Sequence, residues 1–268
     1  MSSTNNYSQG YSKATTATHT SRTVHSDAGF LLPHLRPTDK ILDVGCGPGT
    51  ISVGLATYVP DGSVLGIDIS EDVLVQANEL ALSKLNVSFQ ECDIRAGLPF
   101  TDNTFDVVFS SQLFPHLTTE QMKLKALSEM RRVLKQGGVL ATRDAAELHF
   151  YPRSHFLDRY WTGNMARALG GPLPGGDMPG LYRKVGFEPA SITVDAGTTV
   201  YADQKARRWF ADQSKGRLAK GDPYRESWTK VGITEKGISE AREALAKWAE
   251  DDDAWYVALQ TEIVARKD

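Results

Sequence analysis

Apolar residues fall along this chain in two alternating rhythms. Short runs rich in β-branched and aromatic residues occupy positions 40–44, 63–68, 87–90, 105–110 and 139–142. Runs of that length and composition predict buried strands. The stretches between them carry helical spacing. Residues 50–58 can continue as a helix from a glycine turn, and Pro60-Asp61-Gly62 then predicts a reverse turn. Over 71–81, Leu74, Ala77 and Ala81 share a helix face, with Ser70 as N-cap and Glu71 and Asp72 in the first turn. Thr118-Thr119-Glu120-Gln121 reads as a capping box. Met122, Leu127, Met130 and Leu134 line the helix it starts, and Gly137-Gly138 is read as its stop. Ahead of the first strand, Val24, Ala28, Leu31, Leu32 and Leu35 lie roughly on one face of a helix over 20–35. Strands alternating with helices of this length predict an α/β fold with a parallel sheet and right-handed crossovers.

Past Thr142 the rhythm changes. Residues 147–180 hold Phe150, Tyr151, Phe156, Tyr160 and Trp161, then a Gly/Pro-rich stretch from 170 to 180. A sixth strand is expected near 191–195 or a little longer. Residues 203–250 read as polar helices, with Ile238, Ala241, Leu245 and Trp248 forming an amphipathic stripe. A last strand follows over 255–265. The expected organisation is a flexible N-terminal segment 1–19, a core 20–146, an insertion 147–180, a core continuation 181–202, a helical insertion 203–253 and a last strand within 254–268. The insertions read as a cap over a substrate, a role compatible with simply covering apolar surface.

Composition narrows the classes. Hydrophobic residues make up 41% and charged residues 24%, with a net charge of −3, which is ordinary for a soluble globular chain. No broad basic stripe is present, so nucleic acid is not an expected partner. Lys205-Ala206-Arg207-Arg208 and Arg131-Arg132 read as solvated helix faces. The two cysteines, Cys46 and Cys92, lack metal-ligand spacing and read as reduced thiols, so the expected location is cytoplasmic and no metal is expected. The polar N-terminus lacks the apolar stretch of a secretory signal. No run of about 18 apolar residues predicts a membrane span.

Chemistry enters at Asp43-Val44-Gly45-Cys46-Gly47-Pro48-Gly49-Thr50-Ile51. Strand, glycine turn and helix follow in that order, which lets a ligand lie against bare backbone. Asp68 ends the second apolar run, nineteen residues after Gly49. A carboxylate there can accept both hydroxyls of a ribose. The pair describes a pocket for a nucleoside cofactor. A dinucleotide fingerprint would be G-x-G-x-x-G, but here Gly45, Gly47 and Gly49 make G-x-G-x-G with Thr50 next, and no P-loop lysine follows.

The stretch Ile41 to Thr50 resembles the S-adenosylmethionine motif of class I methyltransferases, in the flavour of the ubiquinone/menaquinone-methyltransferase-like (type 11) branch. Met130-Arg131-Arg132-Val133-Leu134-Lys135-Gln136-Gly137-Gly138 resembles the same family, with Gln136 where proline is usual. The resemblance covers about residues 25–145, extends less closely over 181–195, and hardly touches the insertions. It implies a Rossmann-like, seven-stranded, mostly parallel sheet with helices on both faces, plus helical cap insertions. The family joins its last two strands by a short hairpin, where this chain places roughly fifty residues.

The resemblance also implies roles. S-adenosylmethionine is the cofactor and S-adenosylhomocysteine its product. Gly45, Cys46, Gly47 and Gly49 set backbone against the methionyl and adenosyl groups. Asp43 helps receive the amino group, Asp68 the ribose hydroxyls, and Ile69 packs on adenine. Asp93 accepts the adenine amino group, with Ile94 beside it. Tyr11 closes over the cofactor. Ser110, Ser111 and Gln112 stand at the carboxyl end of the fourth strand, where open α/β sheets place ligands.

A sulfonium methyl is its own electrophile, so the protein need only hold an acceptor in line and remove water. If the acceptor is a hydroxyl, a base helps, and His116 just past the fourth strand is the candidate. Phe114, His155, Tyr160 and Trp161 are candidates for an apolar acceptor pocket, though aromatics there also read as core packing. The expected function is methyl transfer to a small, partly apolar molecule by in-line displacement, mainly through proximity and desolvation. Alternatives are a rearrangement or cyclisation on the same cofactor pocket, or an NAD-dependent oxidoreductase, against which Thr50 and Asp93 speak.

Overall fold

The computed structural model describes residues 13–82 and 85–268. Tyr11 and most of the N-terminal segment expected to be flexible lie outside the described residues. Helix α1 spans Lys13–Thr20 and α2 spans Val24–Asp27. Thr23 and Ser26 cap α2 reciprocally, each side chain accepting the other's backbone N–H. The single helix expected over 20–35 is therefore not formed. A 3-10 turn over Leu32–His34 replaces its second half, because Pro33 has no N–H to donate and restricts Leu32 before it. The apolar positions still turn inward: Val24, Ala28 and Leu31 are buried.

Strands and helices then alternate as β1 (Lys40–Val44), α3 (Thr50–Ala56), β2 (Ser63–Asp68), α4 (Glu71–Ala81), β3 (Val87–Glu91), β4 (Phe105–Ser111), α5 (Glu120–Val133) and β5 (Leu134–Tyr151). Ser70 caps α4 through Val73 N. At α5 the N-cap is Thr119, whose hydroxyl accepts Met122 N. The capping box expected at 118–121 is thus absent, since position N3 is a methionine and returns no hydrogen bond. The remaining elements are α6 (Asn164–Ala168), α7 (Met178–Lys184), β6 (Ile192–Tyr201), α8 (Gln204–Arg217), α9 (Pro223–Lys230), α10 (Glu235–Glu250) and β7 (Trp255–Arg266). A π-helical turn over Asp158–Gly163 leads into α6.

The seven strands form one sheet in the order β3-β2-β1-β4-β5-β7-β6. Strands β3 to β5 pair in parallel, with Lys40 opposite Ser63, Val64 opposite Val87 and Ser110 opposite Thr142. Beside β5, Gly137 N donates to Lys267 O (2.7 Å) and Lys267 N donates to Gly138 O (3.1 Å), which sets β7 antiparallel. Two residues here oppose one, a bulge, and Gly137 supplies its left-handed φ of 72°. Gly137-Gly138 is therefore not a helix stop. Helix α5 ends earlier, at Val133, and β5 begins at Leu134 because β7 gives its first residues hydrogen-bond partners. The fifth strand also outlasts the expected 139–142: Leu148 and Phe150 keep the alternate burial of a strand.

The chain forms two compact units. The first comprises His19–Asp144, Pro174–Ala196 and Thr261–Asp268. Its inner strands β1, β2 and β4 bury both faces, as parallel strands flanked by helices do. Leu42, Val44, Val108 and Leu140 pack with Leu127, Met130 and Tyr182 on one face; Ile41, Val107, Phe109 and Ala141 pack with Leu31, Ile51 and Leu55 on the other. The second unit comprises Ala145–Leu173 and Gly197–Gln260, with the N-terminal residues up to 18. It has its own core of Phe150, Trp161, Trp228, Leu245, Trp248 and Tyr256. Trp248 meets Phe150 edge-on at 5.4 Å and donates its indole N–H to Tyr151 O (3.0 Å). Replacing Trp248 by Ala removes both the ring and that hydrogen bond, and is expected to cost about 3–5 kcal/mol, read as the shift in urea unfolding of the full chain.

Candidate functional site

The carboxyl ends of β1, β2 and β4 lie side by side in the first unit, and the glycine turn closes over them. Ile67 O, at the end of β2, accepts both Gly45 N (2.8 Å) and Cys46 N (2.9 Å). That double bond folds the turn back across the sheet. Gly45, Gly47 and Gly49 have φ of 75°, 54° and 79°, a region that L side chains avoid. Their surroundings differ. A Cβ on Gly49 would stand 2.6 Å from Phe89 Cζ and 2.9 Å from Ala77 Cβ, so Gly49 serves the packing of β3 and α4. A Cβ on Gly47 would meet no atom of the described residues within 4 Å. Gly47 is the position where bare backbone faces open space.

Beside that opening stands Asp68. Its Oδ2 accepts Gly47 N (3.0 Å) and its Oδ1 accepts Ser70 N (3.1 Å). Two backbone donors fix the orientation of the carboxylate. Asp68 O also accepts Cys92 N (2.9 Å), which brings the exit of β3 to the same edge. Asp43 is buried deeper, with Oδ2 accepting Ser52 Oγ (2.6 Å). Burial pushes its carboxyl up to about 7; the Ser52 hydrogen bond opposes this and the Asp68 charge adds to it. Burial, then the charges of Asp43 and Asp68, hold the Cys46 thiol well above its ordinary range. Cys46 is therefore a small packing residue here and not a nucleophile.

Asp93 is engaged differently. Both its oxygens receive the Arg95 side chain, at 2.8 and 2.9 Å, and Arg95 N donates to it as well (2.9 Å). Burial works against its charge, but the hydrogen bonds and positive charge of Arg95 hold the carboxyl below its ordinary value. Ile69 is half-buried, and Ile94 is buried in the core. The hydroxyls of Ser110 and Ser111 are buried with no hydrogen-bond partner among the described residues. Gln112 takes a left-handed φ of 58°. Phe114 is fully buried among Leu117, Leu127 and Tyr182, and half-buried His116 closes the 3-10 turn Phe114–His116.

The structure thus gathers Asp43, Gly45, Cys46, Gly47, Asp68, Ile69 and Gln112 about one edge of the first unit, with Asp93 following Cys92. His155, Tyr160 and Trp161 belong to the second unit. There His155 Nε2 pairs with Asp251 Oδ2 (2.6 Å), and Trp161 packs against Tyr224 and Trp228 at 5.6 and 5.5 Å. Two residues escaped the sequence reading. Arg143, almost fully buried, binds Asp27 and Glu262 at 3.0 Å each, and fully buried Asp144 accepts Phe114 N (3.1 Å). A charged pair directly after the apolar run 139–142 was the available signal. Among the described residues no cluster of three His, Cys, Asp or Glu side chains is disposed to hold a metal. Nor is any helix there long and apolar enough to cross a membrane.

Comparison with known proteins agrees with this geometry. Residues 41–138 match the model of a methyltransferase domain family. The chain is 47% identical over 279 residues to a protein of Aspergillus luteorubrus described as the probable methyltransferase ltbC, and the match covers 98% of each. It is 32% identical to the uncharacterized methyltransferase C1B3.06c of Schizosaccharomyces pombe, over 98% of this chain and 96% of that one. Crystal structures of BH2331 from Bacillus halodurans C-125 and YcgJ from Bacillus subtilis share the fold. Each superposes with a TM-score of 0.59, at 20% and 18% identity, over 89% of this chain and 96% and 97% of theirs. The chain belongs to the class I S-adenosylmethionine-dependent methyltransferases, enzymes whose methyl donor is S-adenosylmethionine.

The two inner glycines are separable by experiment. Gly49→Ala meets both a left-handed φ and fixed neighbours, and is expected to cost about 2–4 kcal/mol. Gly47→Ala meets only the φ penalty, about 1–2 kcal/mol. Thermal unfolding of the two variants should rank them in that order, and a reversed order would mean the turn is packed otherwise.

Proposed function

We propose that this enzyme transfers the methyl group to a small, partly apolar acceptor, with the cofactor seated on Gly47 and held by Asp68. The observation that carries the reading is the pairing of an open face at Gly47 with a carboxylate that Gly47 N and Ser70 N both orient. An unfilled cradle beside a fixed acceptor of hydroxyl protons fits a nucleoside. When bound, the cofactor supplies an electrophilic sulfonium methyl. The protein's own residues supply position and dryness. Asp68 accepts the ribose hydroxyls. Half-buried Ile69 offers an apolar surface to the base. Asp93, already bound by Arg95, offers its remaining lone pairs to the exocyclic amine. Gly45 and Cys46 contribute backbone only, and the protonated Cys46 thiol stays out of the chemistry.

Asp43 lies beneath, and its ionisation couples to binding. A cofactor ammonium beside it favours the carboxylate, so the pKa of about 7 falls on binding and a proton leaves. Below pH 7 that release opposes binding. Affinity for S-adenosylmethionine should therefore rise with pH through the range from about 5 to 7 and level off above it. Calorimetric titration in two buffers of different ionisation enthalpy measures the proton directly, and Asp43→Asn should abolish the release. A pH-independent affinity with no proton released would remove Asp43 from the site.

His116 is the residue proposed to take a proton from a hydroxyl acceptor. It is half-buried on the turn that follows β4. An amine or carbon acceptor could dispense with it. Phe114 backs this turn from within the core rather than facing an acceptor.

The direct test is titration of the purified protein with S-adenosylmethionine, S-adenosylhomocysteine and NAD. The first two should bind and the third should not. Gly47→Arg should abolish binding while the protein stays folded, because the side chain enters open space. Asp68→Ala should weaken binding by about 1–3 kcal/mol through lost charge-assisted hydrogen bonds. Full binding by Gly47→Arg would place the cofactor elsewhere.

A further inference from the structure

The middle of β5 holds the loop that follows β4 at two points. Gln112 N donates to Arg143 O (2.8 Å) and Phe114 N donates to Asp144 Oδ1 (3.1 Å). Between these anchors Gln112 sits at a φ of 58°, a left-handed backbone that a residue with a side chain adopts only under constraint. The loop therefore needs its anchors. It also touches the cofactor turn: a Cβ on Gly45 would stand 3.1 Å from Leu113 Cδ1. The same loop carries His116.

The anchoring residues are themselves fixed. Arg143 is clamped between Asp27 and Glu262, and points to the face of the sheet that carries α2. Asp144 points to the opposite face by strand alternation. On that face Val108 and Leu140 share a core cluster with Phe114 and Tyr182, and Tyr182 OH donates to Thr142 Oγ1 (3.1 Å). Asp144 is fully buried, and its Oδ2 has no hydrogen-bond partner among the described residues. Burial pushes the carboxyl up to about 7, opposed by the Phe114 amide and by the charges of Arg143, Arg22 and Lys123. A buried carboxyl with one engaged oxygen is costly as a core residue, where an apolar side chain would bury no polar group. What an apolar side chain cannot do is accept the Phe114 amide.

We propose that Asp144 is a positioning residue for methyl transfer: through Phe114 N it holds the Gln112–Leu117 loop, and with it Leu113, against the cofactor turn. The proposal rests on the reading of that turn as the cofactor site. Asp144 does not touch the cofactor in this arrangement; it acts through the loop.

Two variants separate the role from mere packing. Asp144→Asn keeps a carbonyl oxygen for Phe114 N and stays neutral at every pH. Asp144→Leu keeps the branched skeleton, with larger methyl groups, and loses the acceptor. We expect Asp144→Asn to bind S-adenosylmethionine within about threefold of wild type and Asp144→Leu to bind at least about tenfold more weakly. Hydrogen exchange of the amides from 112 to 117 should be slow in wild type and in Asp144→Asn, and fast in Asp144→Leu. Wild-type affinity and unchanged exchange in Asp144→Leu would overturn the proposal. So would an Asp144→Asn variant as impaired as Asp144→Leu. If Asp144→Leu does not fold, the wild-type Phe114 amide decides: exchange as fast as an open loop overturns the proposal. If wild type itself fails to bind the cofactor, the site reading falls, and the exchange arm still judges the link from Asp144 to Phe114.

Discussion

One carbonyl carries more of this architecture than any side chain. Ile67 O accepts Gly45 N and Cys46 N together, and so ties the exit of β1 to the end of β2. With the turn closed in that way, Gly47 N reaches Asp68, and the carboxylate becomes part of the turn rather than a side chain near it. The closure requires left-handed backbone at Gly45, Gly47 and Gly49. A side chain at any of the three would strain it, for reasons that differ at each position. Gly45 keeps Leu113 close, Gly49 lets Phe89 and Ala77 in, and Gly47 leaves the outer surface bare.

That closure sets charges against burial. The charge of Asp68 adds to the cost of ionising buried Asp43. Asp144, midway along β5, is raised by burial in the same way. Asp43 and Asp144 are each pushed to about 7 from an ordinary value of 3.8. A carboxyl whose pKa is raised on folding binds more protons folded than unfolded between those limits. Its contribution to stability is complete below about pH 4 and is lost as pH climbs through 7. The two differ in what relieves them. A cationic group arriving over the turn would let Asp43 ionise at no further cost. Asp144 is relieved instead by the Phe114 amide and the positive charges of Arg143, Arg22 and Lys123.

Much of the fold was legible in the residues, and the reasons for the misses are specific. Strands β1, β2 and β4 stood out because parallel strands inside the sheet bury both faces and leave nearly continuous apolar runs. The helix over 71–81 announced itself through Ser70 and three apolar residues on one face. At Gly137-Gly138 the reading went wrong on a true premise: glycine at positive φ ends helices. The same φ also makes a bulge, and only the pairing with Lys267 decides between the two. At 20–35 the apolar spacing correctly marked which residues turn inward, while Pro33 made the backbone bend between them.

The site was legible in a narrower sense. Three glycines and an aspartate mark a nucleoside pocket from spacing alone, but spacing treats the glycines alike. Only the neighbours of each Cα separate Gly49, which the fold needs, from Gly47, whose outer face is free. Asp144 was hidden for a complementary reason. An acid after an apolar run is ordinarily the solvated end of a strand, and the run 139–142 gave no sign that β5 continues for another nine residues to Tyr151. Because the strand continues, position 144 falls inside the sheet instead of at its edge. Once it is inside, a charged acid is excluded by burial unless something is gained. What it gains is an amide on a loop held at positive φ, and that loop is the one packed against the glycine turn.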